Sequence, residues 1–292
     1  MDRRRVPGGQ GGLFGARGTG MDRHAAAESA RLTGLPSLER GHAMFGITRS
    51  LAAPWWTGEP APLAERTLLC LPYAGGGPQT YRRWGELLGP SVEVLAMTPP
   101  GRGRRYGEEP CRDLPSLLNP LAEALPGVLH RPYVLFGHSL GATVAFELCL
   151  EIRRRGLPMP QGLVVSGRQA PDLPWRFRQI SGLPADEFTE ALRDLGGTPE
   201  AVLAQPELMS LLMPALRADF AIVESYRDRA EPPLDVPILA LAGTEDDRAS
   251  ADHMAGWAAR TTASFALHQV HGDHFFVDTQ ALAVTKLVSA FL

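Results

Sequence analysis

The chain has 292 residues, 44% hydrophobic and 21% charged, with a formal net charge of −3. That supports a sizeable core and lacks the basic balance of a nucleic-acid binder. No apolar run reaches membrane-spanning length. The three separated cysteines, Cys70, Cys111 and Cys149, show neither metal spacing nor a disulfide framework, which fits a reducing cytoplasm.

Met1 to Gly20 is rich in Gly and Arg and has no apolar centre, so it does not read as a secretory signal. Met21 and Met44 are alternative starts. Residues 1–60 are expected to be an extension, largely disordered or loosely packed, ahead of one domain over 61–292. From Arg66 the pattern alternates. Strands are predicted at Thr67–Leu71, Val92–Met97, Tyr133–Phe136, Leu163–Ser166, Ile238–Ala242 and Phe265–Val270. Helices are predicted at Tyr81–Leu88, Leu114–Leu129, Ala142–Arg155, Ser250–Arg260 and Ala281–Leu292. Short apolar strands alternating with helices imply an α/β fold whose mostly parallel sheet is covered on both faces.

Residues 171 to about 230 break this rhythm. Prolines punctuate amphipathic pieces in which Phe188, Leu192 and Leu195, and again Leu208, Leu212, Leu216 and Phe220, share a helical face. Most of these side chains will pack a core. Because the segment leaves from the C-terminal end of a strand, where ligands bind in open parallel sheets, residues 172–230 are also expected to form a helical lid.

Gly137-His138-Ser139-Leu140-Gly141 lies between a predicted strand and a predicted helix. That is the context of a nucleophile elbow, a turn tight enough to require small residues two positions before and after the serine. Ser139 is the candidate nucleophile. In this architecture an acid and then a histidine follow in chain order. Glu245, Asp246 and Asp247 follow one strand, and His271 and His274 follow the next. Asp246 is taken as the acid, with Asp247 as runner-up, and His274 as the base. His138 reads as a packed neighbour, since adjacent residues in a sharp elbow diverge.

The anion formed on attack needs preorganised donors. Candidates are the backbone N–H groups of Leu140 and of Ala74, in the Gly-rich loop Pro72–Gly77. No Lys-Ser/Thr follows that loop, so it is not a P-loop. His271-Gly272-Asp273-His274 matches half of a metal motif, but Gln269 stands where a ligand would be needed. No metal and no cofactor are expected.

These segments together resemble the type II thioesterases that accompany polyketide and nonribosomal peptide synthases, a family of the α/β-hydrolase fold. The resemblance rests on Leu71–Gly76, the elbow, Pro100-Gly101-Arg102, Leu163 through Arg168, Leu216–Asp219, Ala242-Gly243 with Asp246, and His274-Phe275-Phe276. It covers residues 66–292. It implies nucleophile, acid and base at Ser139, Asp246 and His274, and a flexible helical lid. It also implies hydrolysis of misprimed or stalled acyl thioesters on the phosphopantetheine arm of acyl or peptidyl carrier proteins. The expected partner is such a carrier protein, not nucleic acid or membrane, and the chain is expected to act as a monomer. Arg82, Arg83, Arg102, Arg104 and Arg105 are candidates for a rim meeting an acidic carrier. The family has Gly-Gly-His where this chain has Gly272-Asp273-His274, and it does not explain the N-terminal extension. Other readings are a medium-chain fatty acyl thioesterase or small-ester hydrolase, an acyltransferase, and a non-catalytic binding protein of the same fold.

Overall fold

The computed structural model describes residues 54–292. The expected extension over 1–53 lies outside the described residues. Its expected end does not: Trp55 and Trp56 are buried, and Trp56–Thr57 forms a strand, β1. The packed chain therefore begins before residue 60, because two indoles supply enough apolar area to hold the segment down.

The remaining strands are β2 (Arg66–Leu71), β3 (Val92–Met97), β4 (Tyr133–His138), β5 (Gly162–Ser166), β6 (Ile238–Gly243) and β7 (Phe265–Val270). They form a sheet of order β1-β3-β2-β4-β5-β6-β7, parallel throughout except for β1, which runs against β3. β4 is central and buried along its whole length. The chain winds one way from β2 to β3 and the other way from β4 onward. The loops leaving β2 and β4 therefore diverge at a switch point, where such sheets form a crevice.

Helices cover both faces. On one face, α2 (Leu114–Ala124) and α3 (Leu140–Arg154) pack with Trp257 over the sheet. On the other, Trp84 of α1 (Trp84–Leu88) and Val284 and Val288 of α9 (Ala281–Phe291) do so. Two expected helices are cut short. Residues 78–81 and 125–127 close as tighter 3-10 turns, each with a proline in its first positions. The stretch over 250–260 divides in the same way, with α7 (Ala251–Ala255) followed by a 3-10 turn. α8 (Phe276–Thr279) links the last strand's loop to α9.

Between β5 and β6 the chain builds α4 (Ala185–Leu195), α5 (Glu200–Leu203) and α6 (Pro206–Ser225). Ile180, Phe188, Leu192, Leu203, Met209 and Leu216 form a small core of their own there. The amphipathic spacing of the sequence thus resolves into helices sharing one apolar interior.

Candidate active site

Ser139 sits at φ 54°, ψ −117°, a conformation that non-glycine residues rarely hold. The sharp turn is possible because its neighbours lack side chains. A Cβ on Gly137 would lie 2.1 Å from the Gly141 carbonyl oxygen, and one on Gly141 would lie 2.0 Å from that of Leu71. The Ser139 N–H donates to the Ser166 carbonyl at 2.8 Å, tying the turn to the end of β5.

Three strand ends then converge. Ser139 follows β4, Asp246 follows β6, and His274 follows β7. His274 Nε2 lies 3.0 Å from Ser139 Oγ, and His274 Nδ1 lies 2.8 Å from Asp246 Oδ2. The other Asp246 oxygen accepts the N–H groups of Arg248 and Ala249 at 3.0 and 3.3 Å. Burial alone would raise the Asp246 carboxyl pKa. The hydrogen bond and charge of His274, with the Arg248 amide, outweigh it and hold that pKa below the ordinary value. An ionised Asp246 beside Nδ1 favours the tautomer that leaves Nε2 free to accept the serine proton.

The competing residues lie elsewhere. Asp247 is exposed. Glu245 and His271 contact each other at 3.4 Å in solvent, 61% and 78% exposed. Asp273 Oδ1 accepts the N–H of Phe275 at 2.8 Å, so it stabilises the turn that carries His274. Among the described residues, no cluster of His, Cys, Asp or Glu is arranged to hold a metal ion.

His138 is completely buried and points away from the serine hydroxyl. Its Nδ1 lies 2.9 Å from Ser166 Oγ and its Nε2 lies 2.8 Å from the His274 carbonyl oxygen. A neutral ring satisfies both contacts, donating from Nε2 and accepting at Nδ1. Burial, then the nearby His274, lowers its pKa to about 3. The imidazole therefore braces the backbone of His274.

The loop after β2 is braced as well. Asp219 of α6 accepts the Gly75 N–H at 2.7 Å and pairs with Arg102. Arg102 also donates to the Ala215 carbonyl at 3.3 Å. One carboxylate thus joins the insertion to the loops that follow β2 and β3. The Gly75 N–H is committed to Asp219, while Ala74 lines the same cavity as Ser139. Leu140 heads α3 directly after the serine.

That cavity has a volume of about 650 Å³. Ser139 and His274 share it with Leu192, Leu212, Leu216 and Phe220 of the insertion. Gly197, in the turn after α4, packs so closely that a Cβ would lie 2.2 Å from the Phe275 ring. The insertion therefore touches the residue beside His274. A mostly apolar pocket of this size with a few convergent polar groups suits a small organic group.

The proposed arginine rim changes with the structure. Arg105 is buried, bonded to Glu108 and the Thr98 carbonyl and stacked on Trp55 at 3.9 Å. Arg102 is held by Asp219, and Arg104 donates to Thr57 at 2.8 Å. Arg82 and Arg83 are exposed.

The fold and this constellation define a member of the α/β-hydrolase class. The thioesterase domain family matches residues 66–292, and the chain belongs to that family. It is 37% identical over 214 residues to the gramicidin S biosynthesis protein GrsT of Aneurinibacillus migulanus, covering 73% of this chain and 84% of GrsT. The solved structure of the RedJ thioesterase from the prodiginine pathway of Streptomyces coelicolor is 35% identical, with a TM-score of 0.74, over 81% of this chain and 90% of that one. The type II thioesterase YbtT from the yersiniabactin NRPS/PKS pathway is also 35% identical, with a TM-score of 0.74, over 81% and 97%. The chain is a thioesterase, and among the described residues no helix is long and apolar enough to cross a membrane.

Proposed function

We propose that this thioesterase hydrolyses aberrant or stalled acyl thioesters held on the phosphopantetheine arm of carrier proteins in polyketide or nonribosomal peptide biosynthesis. The observation that carries the reading is the line from Asp246 through His274 to Ser139, at 2.8 and 3.0 Å, opening onto a cavity roofed by the insertion. The pathways named for GrsT, RedJ and YbtT support the substrate class.

In this mechanism His274 Nε2 takes the Ser139 proton as Oγ attacks the thioester carbonyl. The N–H groups of Ala74 and Leu140 receive the developing oxyanion, aided by the positive end of α3. Asp246 stabilises the imidazolium. As the C–S bond breaks, His274 returns the proton to the leaving pantetheine sulfur. Water then enters, His274 takes its proton, and the hydroxide attacks the acyl-serine. The acid departs, and Ser139 regains its proton from His274. No cofactor takes part, since the pantetheine belongs to the substrate.

The test is a panel of acyl carrier proteins and matched small thioesters, assayed with the wild type and Ser139→Ala. Ala keeps the size of the elbow and removes the oxygen, so kcat should fall by about 10⁴-fold or more. Near wild-type turnover in Ser139→Ala would overturn the mechanism. Equal kcat/KM for carrier-bound and free thioesters would favour the fatty acyl or small-ester reading. Docking should involve Arg82 and Arg83, since Arg105 serves the fold.

A further inference from the structure

Arg168 follows β5 by two residues and is only 9% exposed. Three other deeply placed arginines have carboxylates: Arg102 pairs with Asp219, Arg105 with Glu108, and Arg260 with Asp172 and Asp228, while Arg248 donates to the Leu195 carbonyl. Arg168 has none. Its guanidinium stacks 5.2 Å from the centre of the Trp175 ring, and among the described residues no acceptor lies within hydrogen-bond distance of it. The acids nearby are committed elsewhere. Glu224 accepts from Ile180 and Ser181, and the Tyr226 hydroxyl bonds Glu147. The Trp175 indole N–H is itself buried without a partner among the described residues.

A buried cation without an acceptor is costly, and an oxygen of a bound ligand that pairs with it offsets that cost. Burial lowers the Arg168 pKa only to about 10, so the group stays charged at neutral pH. Arg168 and Trp175 both line the cavity that holds Ser139 and His274. Of the other arginines that line it, Arg102 and Arg178 pair with carboxylates and Arg248 donates to the Leu195 carbonyl, so Arg168 is the cation there that can discriminate between acyl chains.

We infer that Arg168 is a specificity determinant which accepts an oxygen-bearing acyl chain, its guanidinium donating to a hydroxyl, keto or carboxylate oxygen on the chain. This rests on the thioesterase reading of the same site. A purely alkyl chain would fill the apolar wall and leave Arg168 unpaired. An acceptor oxygen on the chain would satisfy it, and a hydrogen bond to a charged group corresponds to about 10- to 100-fold in kcat/KM.

The experiment compares N-acetylcysteamine thioesters of matched length: hexanoyl, 3-hydroxyhexanoyl and adipoyl. The full chain is used as wild type, Arg168→Met and Arg168→Lys. Met keeps the unbranched stem on Trp175 and removes every donor, whereas Lys keeps the charge but not the planar fork. The wild type should prefer an oxygen-bearing chain by about 10- to 100-fold. The hydroxyl and carboxylate arms show which oxygen is recognised. In Arg168→Met the ratio should fall to near one, and Arg168→Lys should lie between. A wild type that hydrolyses all three equally overturns the role of Arg168 and leaves the thioesterase reading standing. A preference unchanged in Arg168→Met also overturns it. A wild type that cleaves none of the three, nor any carrier-bound thioester, removes the parent reading and this inference with it. If Arg168→Met fails to fold, Arg168→Lys and the wild-type ratios decide.

Discussion

Asp219→Ala should be less stable and slower, and Asp219→Asn should separate the two losses. In the native chain one carboxylate oxygen takes the Gly75 N–H at 2.7 Å and the Arg102 guanidinium, with the Asp219 and Arg102 side chains only 10% and 12% exposed. Ala removes both contacts. Breaking a buried pair from one side costs about 3–5 kcal/mol, because the other charge is left uncompensated. For a domain of this size each kcal/mol moves Tm by roughly 2–4 °C. The lower half of the resulting range, about 6–12 °C, is expected, because Arg102 keeps its bond to the Ala215 carbonyl. The kinetic loss has another origin. Gly75 adjoins Ala74, the proposed oxyanion donor, and removing such a donor outright costs 10²–10³ in kcat. Displacing it should cost less, about 10- to 100-fold, and should fall on kcat with little change in KM, since the contact matters when the anion forms. Asn keeps an oxygen for the Gly75 N–H but loses the charge that holds Arg102. Its kcat should stay within about threefold of wild type while its Tm falls. Thermal denaturation and hydrolysis of a small acyl thioester read both quantities on the same preparations. If Asp219→Ala loses stability but keeps its kcat, the carboxylate holds only the insertion, and the link from Asp219 to the oxyanion loop is refuted.

Asp246→Asn should lower kcat by about 10⁴-fold, because an amide beside Nδ1 favours the wrong tautomer, whereas the exposed Asp247→Asn should be near wild type. The reverse ranking, read as kcat/KM on one thioester, would move the acid by one residue. His138 titrates near 6.5 when unfolded and near 3 when folded, so between these values the unfolded chain binds one more proton and stability falls as pH drops through that window. Urea denaturation from pH 7 to 4 should show that slope in the wild type and a shallower one in His138→Gln, and identical slopes would mean that His138 is not buried neutral.

The strands were readable because each is a short apolar run, and the elbow because steric demand leaves glycine at 137 and 141. Ser139, Asp246 and His274 were readable for a related reason. Each follows a strand, and in a parallel sheet all strand ends of one polarity lie on one edge, so chain order became spatial convergence. β1 was not readable. Two strand residues carry no periodicity, and only their pairing with β3, Trp56 opposite Met97 and Thr57 opposite Ala96, makes a strand of them.

The charges were hardest to place. Arg105, Asp219, Glu224 and Arg168 look alike in sequence, as acids and bases on helices or loops that an amphipathic pattern assigns to solvent. The structure sorts them by partner. Arg105 is locked to Glu108 and Trp55, Glu224 to the backbone before α4, and Asp219 to Gly75 and Arg102. Each of these three has a fixed counterpart, which is how an α/β core tolerates charge. Spacing cannot foretell such pairs, because their members lie up to 144 residues apart. The same sorting isolates Arg168. Among the described residues it has no counterpart, and its place on the wall of the Ser139 cavity is where a substrate would bring one.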